Sequence, residues 1–192
     1  MKCFCCENEM SMIIKPRVYK CENCHHIYRD FSINESEYYQ TYRENFIPHS
    51  NKKRLFFVNS LINKVRPFIN KDQNVLELGS GDGVFAKTLL PHVKAISCCE
   101  MDKNLAKNLK ALGFKTYSCD LLDIPNNNTY DMTIAIDVLE HIKDLQRFVE
   151  KFSNLTKSII IQVPVDRKIH QRLPFDGHYH YFSPDSLISV FS

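Results

Sequence analysis

The chain has 192 residues, 44% of them hydrophobic and 24% charged, with a formal net charge of +3. That balance is ordinary for a soluble globular chain with one principal α/β domain and a smaller appendage. No apolar run is long enough to cross a bilayer, so no membrane partner is expected, and the weak charge without a long basic stripe disfavours a nucleic-acid partner. The charge divides unevenly, with twelve basic and eight acidic residues in 1–73 against thirteen and fourteen in 74–192.

Five of the eight cysteines fall within the first 24 residues. Cys3-x-x-Cys6, fourteen intervening residues and Cys21-x-x-Cys24 match the spacing of a four-thiolate zinc ribbon. Each C-x-x-C turn presents two sulfurs to one side, and two such turns complete a tetrahedron around a structural zinc. Met12-Ile13-Ile14 and Arg17-Val18-Tyr19 are expected to pair as a hairpin around Pro16. Cys5, His25 and His26 are alternative ligands. A disulfide pair is the competing reading. The opening MKCFCCENEM has no signal-peptide core, which favours a reducing, cytoplasmic setting and hence zinc.

Residues 31–73 are expected to hold a tyrosine-rich segment and a leading helix. Tyr38, Tyr39 and Tyr42 can share one face of a short helix, over a cleft or in plain packing. Leu55, Val58, Leu61, Ile62 and Val65 have helical spacing, with Pro67 near the stop.

The stretch VLELGSGDGVF, residues 75–85, opens the principal domain. Val75 to Leu78 suits a buried strand, and Val84 to Leu90 suits a helix ended by Pro91. Between them lie Gly79, Ser80, Gly81, Asp82 and Gly83. A strand, a glycine loop and a helix together place a ligand at the carboxyl edge of an open α/β sheet. A phosphate-cradling loop needs a Lys-Ser/Thr pair after its glycines, and none follows. A dinucleotide fingerprint needs glycine where Val84 stands. Two carboxylates, Glu77 and Asp82, would repel a pyrophosphate. They suit a cationic, donor-rich ligand such as S-adenosylmethionine, which carries a sulfonium, an ammonium and two ribose hydroxyls. An ordinary tight turn is the alternative.

The following segments repeat the pattern. Ala95–Cys99 is a strand candidate ending at Glu100, where a carboxylate can take both ribose hydroxyls. A helix follows with Leu105, Leu109 and Leu112 at its spacing and Gly113 as its stop. Phe114–Cys119 ends at Asp120, and Tyr130–Asp137 leads into Val138-Leu139-Glu140-His141. Ser158–Val163 is a fifth strand and closes at Pro164. Cys98, Cys99 and Cys119 fall on core strands as small hydrophobes.

VLELGSGDGVFAKTLL, CCEMDKNL, SCDLLDIP and YDMTIAIDVLEHI, in this order and spacing, resemble the class I S-adenosylmethionine-dependent methyltransferases. The resemblance implies a Rossmann-like doubly wound sheet with strand order 3-2-1-4-5. It implies that Glu77 and Gly79 to Gly83 line the methionine and ribose portion of the cofactor, and that Glu100 holds the ribose hydroxyls. Met101 would lie against the adenine, Asp120 would take its amino group, Leu121 would lie beside the ring, and Asp137 would sit near the amino acid end. A zinc ribbon (1–30), a tyrosine-rich segment with a leading helix (31–73) and the core (74–192) resemble a bacterial subgroup associated with sugars, surface glycans and small metabolites. The implied function is methyl transfer to a small-molecule or sugar acceptor, with an RNA methyltransferase or an inactive cofactor-binding relative as alternatives.

For acceptors that must lose a proton, His141 at the cleft mouth and His178 and His180 on the substrate-side loop are the candidate bases. Glu140 and Asp144 could assist, or could cap the next helix. Ser183 and Pro184 read as the N-cap and first residue of a final helix. Relatives continue from there into an antiparallel strand pair that is expected to be missing here. The fifth strand, SIIIQV, is then an apolar edge open to a second copy or a partner chain.

Overall fold

The structure, a computed structural model, describes residues 1–14, 17–31, 52–165 and 177–192. The tyrosine-rich segment, with Tyr38, Tyr39 and Tyr42, lies outside the described residues. The chain divides into two compact units. The first takes Met1–Tyr38, Asp137–Lys151 and Gln162–Ser192; the second takes Tyr39–Ile136 and Phe152–Ile161.

The second unit carries a sheet of strands β4 (Asn74–Leu78), β5 (Ala95–Cys99), β6 (Lys115–Tyr117), β7 (Met132–Ile136) and β8 (Ile159–Gln162). Their order is β6-β5-β4-β7-β8. The β4–β5, β4–β7 and β5–β6 pairs are parallel, with Leu78 opposite both Cys99 and Ala135, and Cys99 opposite Tyr117. Near-continuous apolar runs make such strands because both faces are covered, and Val75, Leu76 and Leu78 are buried accordingly. Helices α1 (Lys52–Val65), α2 (Val84–Leu89) and α3 (Lys103–Ala111) belong to this unit. Val58, Leu61, Ile62 and Val65 of α1 join Phe85, Leu89 and Leu109 in one core with the strands.

Two leucines at helical spacing are exposed. Leu55 lies one turn before the packed stretch of α1, and Leu112 is the C-cap of α3, past its last packed turn. Among the described residues β8 ends the sheet, with its side chains half-buried.

The first unit is a four-stranded sheet, β1 (Met10–Ile14), β2 (Val18–Cys21), β3 (Ile27–Arg29) and β9 (His180–Tyr181), in that order. The expected hairpin forms, with Met12 opposite Tyr19. The expected substrate-side loop does not stay a loop. His180 and Tyr181 pair antiparallel with Tyr28 and Ile27, and Val18, Ile27 and Tyr181 close a small apolar cluster. His180 and Tyr181 thereby complete the cysteine-bearing sheet. Helix α5 (Pro184–Val190) starts at a Ser183 N-cap in a capping box with Ser186. Helix α4 (Leu145–Leu155) starts with Asp144 Oδ1 accepting from the Arg147 N–H at 2.9 Å, so Asp144 is a cap.

Gly83 is fixed by two constraints. Its φ is +77°, and a Cβ there would lie 2.6 Å from Leu109 Cδ2 of α3. Gly83→Ala is expected to lower unfolding free energy by roughly 2 kcal/mol, from left-handed strain plus overpacking. A denaturant midpoint equal to the parent's would show that neither constraint operates.

Candidate functional site: a glycine loop and two ligand clusters

The turn after β4 has positive φ at Gly79 (63°), Gly81 (55°) and Gly83 (77°). Residues with a Cβ reach these angles only under strain. Ser80 N–H donates to the Cys99 carbonyl at 3.1 Å, which holds the turn against the end of β5. Glu100 completes the attachment. Its Oε2 accepts from the Gly81 N–H and its Oε1 from the Asp102 N–H, each at 2.8 Å. Glu100 is thus a brace for the loop as well as a candidate ligand. Each carboxylate oxygen has two lone pairs, so each can accept one further donor. Asp102 in turn caps α3, accepting from the Asn104 and Leu105 N–H groups.

The two loop carboxylates differ. Arg54 Nη2 of α1 lies 2.7 Å from Asp82 Oδ1, which also accepts from the Val84 N–H at 3.3 Å. Asp82 is therefore neutralised from within the chain, not held out to a ligand. Nothing in the sequence pointed to Arg54, which is 28 residues away and sits in a run of basic residues. Glu77 is 5% exposed, with the Cys98 thiol 3.9 Å from its Oε2. Burial, reinforced by the negative charges of Glu100 and Asp82, pushes its pKa up to about 8. A cation at this carboxylate would offset that cost.

Parallel register brings the ends of β4, β5 and β6 to one edge, so the glycine loop, Glu100 and the segment after Tyr117 follow one another along it. Met101 and Leu121 are half-buried there and Asp120 is exposed. Asp120 Oδ1 accepts from the Leu122 N–H at 2.7 Å, capping a 3-10 turn over Leu121–Asp123. Acidic acceptors, apolar side chains and a buried carboxylate form a donor set that fits an adenosine bearing a cationic tail and does not fit a phosphate.

The other predicted residues belong to the first unit. Asp137 has φ 52°, its N–H donates to the Gln162 carbonyl, and Gln162 Nε2 donates to its Oδ1, both at 2.9 Å. Glu140 and His141 lie on a 3-10 turn, Leu139–His141. Tyr179 N–H donates to the Glu140 carbonyl at 2.8 Å, and His141 Nδ1 lies 3.2 Å from the Gly177 carbonyl. These two bonds set His178 beside the turn. Its ring is edge-on to that of His141 at 4.6 Å between centroids, and its Nε2 is 3.9 Å from Glu140 Oε1.

His180 is withdrawn from the set of candidate bases. It is fully buried, stacked on His26 at 5.1 Å between centroids, with its Nδ1 3.1 Å from His26 Nε2. Burial, with His26 beside it, lowers its pKa to about 3. It is a neutral packing residue of the sheet. The alternation in His-Tyr-His-Tyr-Phe, a strand pattern, was the available signal.

Cys3, Cys6, Cys21 and Cys24 bring their sulfurs within 4.8 Å of one another, and all are free thiols. Cys3 and Cys24 are 3.6 Å apart and Cys6 and Cys21 3.5 Å. Zinc–sulfur bonds of about 2.3 Å in a tetrahedron place sulfurs about 3.8 Å apart, so the residues fit zinc. Of the alternatives, Cys5 donates its N–H to Cys3 Sγ at 3.4 Å, His26 Nδ1 lies 3.7 Å from Cys3 Sγ, and His25 is exposed.

A pH dependence follows from Glu77. With its pKa raised from 4.5 to about 8, the group binds its proton more tightly folded than unfolded. The stability this contributes is present below the unfolded value and lost as pH rises through about 8. In Glu77→Gln, which cannot ionise, that loss is expected to vanish. Denaturation of both chains at about pH 5 and about pH 9 measures it, and equal losses would place the carboxyl in water.

A family described as a methyltransferase domain matches residues 45–192. The ribosomal RNA small subunit methyltransferase A of Fusobacterium nucleatum is 30% identical over 139 residues, covering 70% of this chain and 44% of that protein. The chain spans less than half the length of the curated relatives it matches. A solved S-adenosylmethionine-dependent methyltransferase from Clostridium acetobutylicum superposes with a TM-score of 0.52 at 17% identity, covering 71% of this chain and 60% of its own. The N-methyltransferase NodS from Bradyrhizobium japonicum gives 0.53 at 14%, covering 73% and 79%. The chain belongs to the methyltransferase domain family.

Proposed function

We propose that the chain binds S-adenosylmethionine along the β4–β5–β6 edge and transfers its methyl group to a small molecule or a sugar or glycan precursor. The observation that carries this reading is Glu100, fixed at the end of β5 by two backbone N–H groups with lone pairs left for two vicinal hydroxyls. Glu77 would accept the cationic tail, Met101 and Leu121 would flank the adenine, and the second oxygen of Asp120 would take its amino group. When bound, the cofactor supplies an already activated methyl group, so the chain's task is alignment and proton removal. His141 and His178 are the candidate proton acceptors. With the Nδ1–H of His141 donated to Gly177, the basic lone pair of that ring is on Nε2.

The RNA-directed activity in the name of the Fusobacterium relative is the second reading. Lys52-Lys53-Arg54 would be its basic run, but Arg54 is engaged with Asp82, and this favours the small acceptor. Binding without turnover across small acceptors and RNA alike would leave a cofactor-binding relative.

Glu100→Ala removes both the brace and the ligand, so Glu100→Gln is the sharper variant. Losing a charge-assisted hydrogen bond costs roughly 1.5–3 kcal/mol, so affinity for S-adenosylmethionine is expected to fall about tenfold to over a hundredfold. Calorimetry on folded Glu100→Gln measures it. Parent-like affinity would remove Glu100 from the site.

We further propose that Cys3, Cys6, Cys21 and Cys24 hold one structural zinc per chain. Because β9 pairs with β3 and the Ser183 hydroxyl donates to the Cys24 carbonyl at 2.6 Å, metal loss is expected to loosen residues 177–183 along with the N-terminal strands. Hydrogen exchange before and after chelation reads this. Elemental analysis without zinc, or faster exchange confined to residues 1–31, would count against it.

A further inference from the structure

Glu140, His141 and His178 bring one carboxylate oxygen and two ring nitrogens within 4.8 Å of one another. We propose that these three side chains form a second metal site, separate from the cysteines, for a divalent transition cation of the zinc, cobalt or manganese type.

The convergence is held by backbone. Tyr179 N–H to the Glu140 carbonyl and His141 Nδ1 to the Gly177 carbonyl fasten two stretches 36 residues apart in sequence, with His178 between the two attachment points. The second of these bonds is what a metal-binding imidazole needs. A ligating histidine donates its other ring N–H to a carbonyl or carboxylate, which fixes the tautomer and raises the basicity of the ligating nitrogen. The distances are close to those of a filled site. Glu140 Oε1 and His178 Nε2 are 3.9 Å apart. Ligands on bonds of about 2.0–2.2 Å stand about 3–3.5 Å apart, so this pair closes within about an ångström and the others, within 4.8 Å, by up to about 2 Å.

Glu140 is 1% exposed, and a divalent ion would engage its carboxylate together with both rings. The ligand types select the ion. Magnesium and calcium take oxygen ligands, whereas two imidazoles with one carboxylate suit borderline transition cations. Three protein ligands leave a position for water or a hydroxyl-bearing ligand, unlike the closed set of four thiolates.

The test titrates cobalt into the zinc-loaded full chain, read by visible absorption and elemental analysis. One cobalt per chain is expected, with the weak bands of nitrogen and oxygen ligands and without thiolate charge-transfer bands. Affinity is expected to fall at least about tenfold in His178→Ala and in His141→Ala, with thiolate-bound metal unchanged as the sign of an intact fold. If His178→Ala does not fold, Glu140→Gln carries the same comparison. Parent-like cobalt binding by the folded variants, or no nitrogen-and-oxygen cobalt signal in the parent, overturns the site and leaves a Glu140–His178 ion pair. This readout does not depend on methyl transfer, so failure of the proposed activity leaves it standing; a metal held by these nitrogens would take the place of their role as proton acceptors.

Discussion

The Glu100 carboxylate, held between the N–H groups of Gly81 and Asp102, is the interaction on which the candidate cofactor edge depends. A loop with three glycines at positive φ has little side-chain substance with which to hold its own shape. The neighbouring strand supplies that shape, because parallel register sets Cys99 opposite Leu78 and so delivers the next residue, Glu100, beside the loop. Burial raises the pKa of Glu100, and the backbone N–H groups of Asp102, Gly81 and Met101 oppose that rise. With Glu77 also buried, the edge offers carboxyl acceptors to hydroxyls and cations.

In the first unit, among the described residues, four strands of two to five residues carry a small apolar cluster of Val18, Ile27 and Tyr181. Two further sources of order converge on it. Four thiols gather at one end, and Phe4, His26, Tyr28, His180 and Phe182 stack with centroids 4.6–5.8 Å apart. Cys3 and His26 join the two sets, since His26 Nδ1 approaches Cys3 Sγ while its Nε2 approaches His180. A strand from near the end of the chain is therefore built into the cysteine cluster's own sheet.

Features written in local sequence were legible. Apolar runs of four or five residues gave β4, β5 and β7, the glycine spacing gave the turn, and the paired C-x-x-C motifs gave the sulfur cluster. Illegible features were those whose partner lies far along the chain. Asp82 reads as a ligand until Arg54 is seen beside it, and Glu100 reads as a ligand alone until the Gly81 and Asp102 N–H groups are found on it. Leu112 continues the helical spacing of Leu105 and Leu109, yet α3 stops one residue earlier and the side chain is exposed.

His178 and His180 show how far apart two similar positions can be taken. Both stand in one alternating stretch, and sequence gives no ground for separating them. His180 falls on β9, meets His26 across the sheet and is dried out until it no longer takes a proton near neutrality. His178 falls just before the strand, where the Tyr179 N–H donates to the Glu140 carbonyl on one side of it and the Gly177 carbonyl accepts from His141 Nδ1 on the other, and it keeps a carboxylate and a second imidazole as neighbours. The shift from loop to strand between residues 178 and 180 thus sets one histidine into the packing of the sheet and leaves the other beside Glu140 and His141. What fixes that shift is the β3–β9 pairing, so the cysteine-bearing sheet, by extending itself over His180 and Tyr181, also determines where His178 stands relative to Glu140 and His141.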